Sequence, residues 1–184
     1  VHIFIRRWTG VLTLGLLVNI ASAEQEPWLL IDTEDATLSV IRGDTVVLKL
    51  SNISLGRGGT TYQRVRDDNR TPLGKFRVMD INTRSNYYRF YTLNYPTQEH
   101  ALRAWKDGLI DSHTYHAISE AIMEHRLPPQ NTPLGGYLGI HGLGNGDRWI
   151  HKRFHWTRGC IALTNQQIDK LAPWIDVGSK VVIN

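Results

Sequence analysis

The sequence predicts a mainly β domain with helical insertions: a curved mixed sheet or sandwich flanked by a helical hairpin and a C-terminal helix. Three observations predict it. The first half of the chain carries short runs of β-branched and apolar residues, divided by turn signals such as Arg42-Gly43-Asp44. Residues from about 97 to 129 change to helical spacing and stop at Pro128-Pro129. Near the end, Thr164-Asn165-Gln166-Gln167 has the form of a capping box, and an apolar strand closes the chain.

The elements follow in order. Strands are expected over 28–31, 37–41 and 45–50, where each run is short and bounded by turn residues. Residues 52–69 are polar and rich in glycine, which reads as a loop or irregular hairpin. Thr71-Pro72-Leu73-Gly74 is a turn, with strands after it at 75–81 and 87–95. A helix over 98–107 would face inward with Ala101, Leu102 and Trp105, with Thr97 as its N-cap. A second helix over 112–125 has the stripe Ala117, Ile118, Ala121 and Ile122. The pair is an insertion beside the sheet, either a lid over a site or a cover for an exposed edge. Strand returns at 137–141, and 142–157 reads as loop. A short apolar stretch spans 160–163. A helix after Thr164 turns Ile168, Leu171 and Ile175 inward, and Gly178 leads into the last strand at 180–183.

Residues 1–23 have the pattern of a secretory signal peptide. Arg6 and Arg7 precede the apolar run 11–20, and Ala21-Ser22-Ala23 fits a small-residue cleavage site. The run is too short to span a bilayer, which takes roughly 20 apolar residues. Cleavage would leave 24–184 as one domain of about 160 residues, enough for a sizeable core. The two arginines are the leader's only charged residues, so a formal charge of +4 falls to +2. That excess is small and scattered, which argues against nucleic acid as a partner. No later segment is apolar enough to cross a membrane.

An exported chain meets an oxidising compartment, where structural cysteines pair. This one has a single cysteine, Cys160, in the stretch Trp156-Thr157-Arg158-Gly159-Cys160-Ile161. An unpaired thiol there is an intermolecular link, a bland buried residue or a reactive group. His141 ends a predicted strand at Gly139-Ile140-His141-Gly142, 19 positions upstream. A histidine within reach of a thiol can generate the thiolate nucleophile. Gly159 allows close backbone approach and frees N–H groups for an oxyanion. The rival is a metal set of His141, His151, His155 and Cys160, disfavoured because zinc ligands usually come in closer pairs. His100, His113, His116 and His125 fall on or near polar helix faces. No metal and no cofactor is assigned.

These residues resemble the L,D-transpeptidase catalytic domain, the YkuD-like family. Its motif is His-Gly at a strand end, then Ser/Thr-x-Gly-Cys and Ile or Val. Here the match is Ile140-His141-Gly142 with Thr157-Arg158-Gly159-Cys160-Ile161, preceded by Thr71-Pro72-Leu73-Gly74-Lys75-Phe76. The likeness covers roughly Trp28 to Asn184. Arg158 stands where many members have His, and Ala162 where many have Arg, so the motif does not fix how donor and acceptor peptides are held.

The resemblance implies that Cys160 attacks the third residue of a peptidoglycan stem peptide, with His141 as base and the Gly142 carbonyl as its orienting partner. It implies an oxyanion hole from the backbone at Arg158, Gly159 and Cys160. Thr157, Tyr137 and Trp156 are the expected substrate contacts. The acyl acceptor stays open between the amine of a second stem (a 3-3 cross-link), water (an L,D-carboxypeptidase) and a lysine of an envelope lipoprotein, whose attachment the enzyme would make or reverse. The implied compartment is the periplasm, and carbapenems would acylate the thiol.

Overall fold

The computed structural model describes residues 26–184. The predicted leader lies outside them. The described strands are β1 (Trp28–Asp32), β2 (Thr37–Arg42), β3 (Thr45–Ser51), β4 (Thr60–Thr61), β5 (Thr71–Pro72), β6 (Gly74–Ser85), β7 (Tyr88–Leu93), β8 (Gly139–Gly142), β9 (Ile161–Leu163) and β10 (Lys180–Ile183). The helices are α1 (Gln98–Lys106), α2 (Ser112–Met123), α3 (Arg148–Arg153) and α4 (Asn165–Leu171), with a 3-10 turn at Ala172–Trp174.

One mixed sheet of eight strands has the order β3-β2-β1-β10-β6-β7-β8-β9, and β4 pairs with β5 in a small parallel ribbon. The first and last strands are parallel neighbours, with Leu29 opposite Val181 and Ile31 opposite Ile183. Both pairs are buried, so β1 and β10 meet in the core. The long β6 bridges the two halves: β10 pairs with its first residues and β7 with the rest. Its register shifts twice against β7, between Val78 and Asp80 and between Asn82 and Ser85. Such irregularities bend a strand and deepen its twist.

The sheet curls until its ends approach. The chain leaving β3 runs straight to β9 at the opposite edge, where Ser54 and Ala162 exchange both backbone hydrogen bonds at 2.8 Å. Only a few residues separate Ser51 from Ser54, so the two edges lie within about 10 Å. The curl covers an edge that would otherwise expose unpaired backbone groups. Phe76, Tyr91 and Tyr95 are the largest fully buried side chains of the core.

The helical insertion sits where the sequence puts it, with one change of face. The buried residues of α1 are His100, Ala101 and Ala104, while Trp105 is 43% exposed and stacks on Tyr115 of α2. His100 is therefore an inward residue and not one of a polar face. Its ring stacks on Phe76 at 5.6 Å, its Nδ1 meets the Thr97 hydroxyl at 2.7 Å and its Nε2 meets the Leu73 carbonyl at 3.1 Å. Thr97 holds the N-cap position but gives its hydroxyl to His100 in place of the helix N–H groups. Phe76 belongs to an interior strand, so α1 covers the face of the sheet and not its edge.

The capping box at α4 forms as expected. The Thr164 hydroxyl accepts from the Gln167 N–H at 3.2 Å, and the Gln167 side chain accepts from the Thr164 N–H at 2.9 Å. Such a cap stabilises a helix by about 1 kcal/mol. The predicted loop 142–157 holds the unforeseen α3, capped by Asp147, whose Oδ1 accepts from the N–H groups of Trp149 and Ile150. None of the helices among the described residues is long and apolar enough to cross a membrane.

Candidate active site

Strands β8 and β9 run parallel, with Ile140 opposite Ile161, His141 opposite Ala162 and Gly142 opposite Leu163. Side chains alternate faces along a strand. Cys160 stands two residues before Ala162, so it shares the face of Ala162 and thus of His141. Both side chains line one cavity of about 1010 Å³. The 19-residue separation is closed by α3 and its loops, which return the chain to pair beside β8.

His141 is 3% exposed and held on several sides. Its Nδ1 lies 2.7 Å from the Gly142 carbonyl oxygen. A carbonyl can only accept, so Nδ1 carries the proton and Nε2 keeps its lone pair. Phe90, its partner across β7, stacks on the ring at 5.5 Å and 5°, Tyr87 lies 4.5 Å away, and Trp156 meets it edge-on at 6.0 Å. Burial lowers the His141 pKa below its ordinary 6.5; the Gly142 bond opposes this and the nearby His151 adds to it. The imidazole is neutral at pH 7. Gly142 leaves the room this arrangement needs, since a Cβ there would lie 2.7 Å from the Tyr87 carbonyl oxygen.

The thiol is half-buried. Its S–H donates to the Tyr137 carbonyl at 3.6 Å. Burial pushes its pKa up to about 11, against the lowering effects of the Gly139 backbone and the Arg64 guanidinium. The resting pair is therefore a neutral thiol facing the cavity of a neutral imidazole. Thr157 organises the turn before the thiol. Its hydroxyl accepts from the Gly159 N–H at 3.1 Å and donates to the Cys160 carbonyl at 2.7 Å.

The sequence-predicted residues gather here with altered parts. Thr157 is 3% exposed and its hydroxyl is engaged on both sides, so it shapes the turn where a substrate contact was expected. The Gly159 N–H is engaged by that hydroxyl, whereas the N–H groups of Arg158 and Cys160 carry no hydrogen bond among the described residues. Tyr137 is 73% exposed at the cavity, with a left-handed backbone (φ 55°), and turns its carbonyl to the thiol. Trp156 lines the cavity, and its indole N–H donates to Nδ1 of the buried His151 at 3.3 Å.

Three contributors escaped the sequence reading, Arg64, Tyr87 and Phe90, and His151 entered it only as a member of the disfavoured metal set. Tyr87 and Phe90 fell within a strand rich in aromatics, where nothing marks which ring meets a histidine. Arg64 fell in a polar loop. His151 supports Trp156, and His155 accepts the Leu55 N–H at 3.1 Å through Nδ1. Among the described residues no group of three or more His, Cys, Asp or Glu is placed to hold a metal ion.

A family model and several solved structures match this chain. The L,D-transpeptidase catalytic domain (YkuD) matches residues 26–183. The chain is similar in structure to the helical cell shape determining protein Pgp2 from Campylobacter jejuni, with a TM-score of 0.60 at 21% identity over 88% of this chain and 48% of that one. It is similar to Bd1075 from Bdellovibrio bacteriovorus, with a TM-score of 0.56 at 19% identity over 90% and 50%. It is also similar to an L,D-transpeptidase fragment from Xylanimonas cellulosilytica, with a TM-score of 0.50 at 15% identity over 89% and 62%. At such identities the likeness is one of fold. The chain spans about half the length of the first two structures. No curated protein matches it. The match over nearly all the described residues decides the question: this chain belongs to the L,D-transpeptidase catalytic domain family.

Proposed function

We propose that the protein is a cysteine-dependent L,D-transpeptidase acting on peptidoglycan stem peptides in the periplasm. The observation that carries the reading is the fixed tautomer of His141, whose Nδ1 is committed to Gly142 and whose Nε2 is left basic in the cavity that the single thiol also lines. The Cys160 S–H proton passes to His141 Nε2 as Sγ attacks the carbonyl of the third stem residue. The N–H groups of Arg158 and Cys160 face the oxyanion of the tetrahedral intermediate, in a turn set by Thr157. Collapse breaks the peptide bond, and His141 returns the proton to the departing D-alanine amine. A thioester on Cys160 remains.

An acceptor amine then attacks the thioester, loses a proton to His141 and regenerates the thiol. A second cavity of about 630 Å³ shares Ser85, Tyr87 and Trp156 with the first, and supports a separate place for the acceptor. A second stem peptide would give a 3-3 cross-link. The amine of an envelope lipoprotein lysine would give attachment, and water in its place would give a carboxypeptidase or a hydrolase of such links. Mass spectrometry of tetrapeptide muropeptides after incubation with the protein separates these. Dimers joined 3-3 are the expected product. Tripeptides without dimers would move the assignment to carboxypeptidase, and no change in any muropeptide would remove free stems as the substrate.

A further inference from the structure

Beside Cys160 the cavity holds a guanidinium with no hydrogen bond among the described residues. Arg64 lines the cavity but is only 4% exposed. Its Nε and Nη1 are fully buried and have no hydrogen-bond partner among the described residues. Asp68 pairs with its charge across 3.7 Å, Oδ1 to Nε, an ion pair too long to be a hydrogen bond. Asp68 is otherwise engaged: Oδ1 accepts the Arg70 N–H at 2.9 Å and Oδ2 the Val65 N–H at 3.0 Å. Arg66, two residues on, shows the contrast. Its Nε and Nη2 both donate to the Thr132 carbonyl, at 3.0 and 2.6 Å, so its fork is used in holding the loop.

A buried guanidinium whose donors go unused is costly unless a partner satisfies them. The Tyr95 ring at 5.7 Å from Arg64 Cζ offsets part of that cost but accepts no directed hydrogen bond. The location adds the second half of the argument. A Cβ on Gly159 would lie 2.6 Å from Nη1, and one on Gly135 would lie 3.3 Å from Nη2. Two bare glycines thus frame the guanidinium, and one of them directly precedes the nucleophile. Gly159 also has φ +119°, where a side chain would be strained. A planar fork of free N–H groups is matched by a carboxylate, which accepts from two at once.

We propose that Arg64 is the carboxylate-recognition residue of the donor site, selecting acyl donors that carry a negative charge near the scissile carbonyl. The identity of that donor rests on the stem-peptide reading above. Two carboxylates have this chemistry: the terminal one of the departing D-alanine, and a side-chain one on a diamino acid at the third position.

The first test needs no peptidoglycan. Sγ displaces iodide from iodoacetate, which carries a carboxylate, and from iodoacetamide, which does not. The ratio of the two rates cancels any change in the thiol's own ionisation. In Arg64→Gln the iodoacetate-to-iodoacetamide ratio falls about tenfold from that of the unaltered protein, the size of one charge-assisted contact. Arg64→Lys, which keeps the charge and loses the fork, falls between them and serves if the glutamine variant melts early. An unchanged ratio in the folded variants overturns the proposal, whether or not stem peptides are turned over. Absence of turnover with an altered ratio would instead sink the stem-peptide reading and leave the anion site standing. With tetrapeptides, Arg64→Gln raises KM with kcat little altered. The penalty disappears for the peptide that lacks the recognised carboxylate, tested by a C-terminal amide and by lysine at the third position. An equal penalty on all three peptides contradicts the proposal.

Discussion

The Nδ1–H of His141 donates to the carbonyl oxygen of Gly142, the next residue in the chain, across 2.7 Å. A neighbouring backbone carbonyl thus orients this ring, a part that a carboxylate or amide side chain plays in well-known Ser–His and Cys–His triads. A neutral carbonyl stabilises an imidazolium less than a carboxylate would. The ring therefore stays neutral at rest, consistent with burial lowering its pKa. Cys160, pushed up to about 11, is also neutral. In the proposed mechanism, proton transfer and attack then occur together once substrate is bound.

This gives a pH prediction. The base form of His141 is lost as pH falls through its pKa, which lies below 6.5. The acid limb of kcat/KM for tetrapeptide should have its midpoint below 6.5, with a plateau through neutral pH. An acid limb centred above 7 would contradict the lowered pKa of His141 and its role as the base.

Thr157→Val keeps the shape of the side chain and removes both hydrogen bonds of the turn. The Gly159 N–H is left unsatisfied, which should destabilise the fold by about 1–3 kcal/mol. The rate should suffer more than stability explains, by about tenfold or more in kcat, because the turn carries the oxyanion donors. Urea melts with steady-state kinetics check both. Unaltered kcat would remove Thr157 from the organisation of the site.

His100 predicts a stability effect far from the chemistry. Burial lowers its pKa to about 4 from 6.5. Between these values the unfolded chain binds a proton that the folded one does not, so stability falls as pH drops from 6.5 towards 4. The full loss is about 3 kcal/mol. His100→Phe should be less stable at pH 7, having lost the contacts to Thr97 and Leu73, but its stability should vary less over that window. Denaturant midpoints across the range measure this. Equal pH slopes in the two proteins would contradict it.

What could be read from the sequence was local. The capping box at Thr164 and the strand Lys180–Ile183 are as expected because caps and terminal alternation are short-range signals. That His141 and Cys160 share one cavity fits the sequence reading, since each stands in a compact motif of glycine and strand end. α3 was not legible, since its six residues (Arg148–Arg153) are too few to show a periodicity. His100 was assigned to the polar face because a histidine's burial depends on partners from elsewhere, here Phe76 and Leu73. The walls of the site come from such distant segments: Arg64 from the loop after β4, Phe90 from β7, Trp156 from the turn after α3. Only the curl of the sheet brings them together.

The central claim is that Cys160 is the nucleophile. The direct measurement is the release of D-alanine from a tetrapeptide stem by the intact protein and by Cys160→Ala, with circular dichroism to show that both are folded. The account predicts that the variant loses activity by about a thousandfold or more, as removal of a covalent nucleophile does elsewhere. A folded Cys160→Ala that releases D-alanine within about tenfold of the unaltered protein would contradict it.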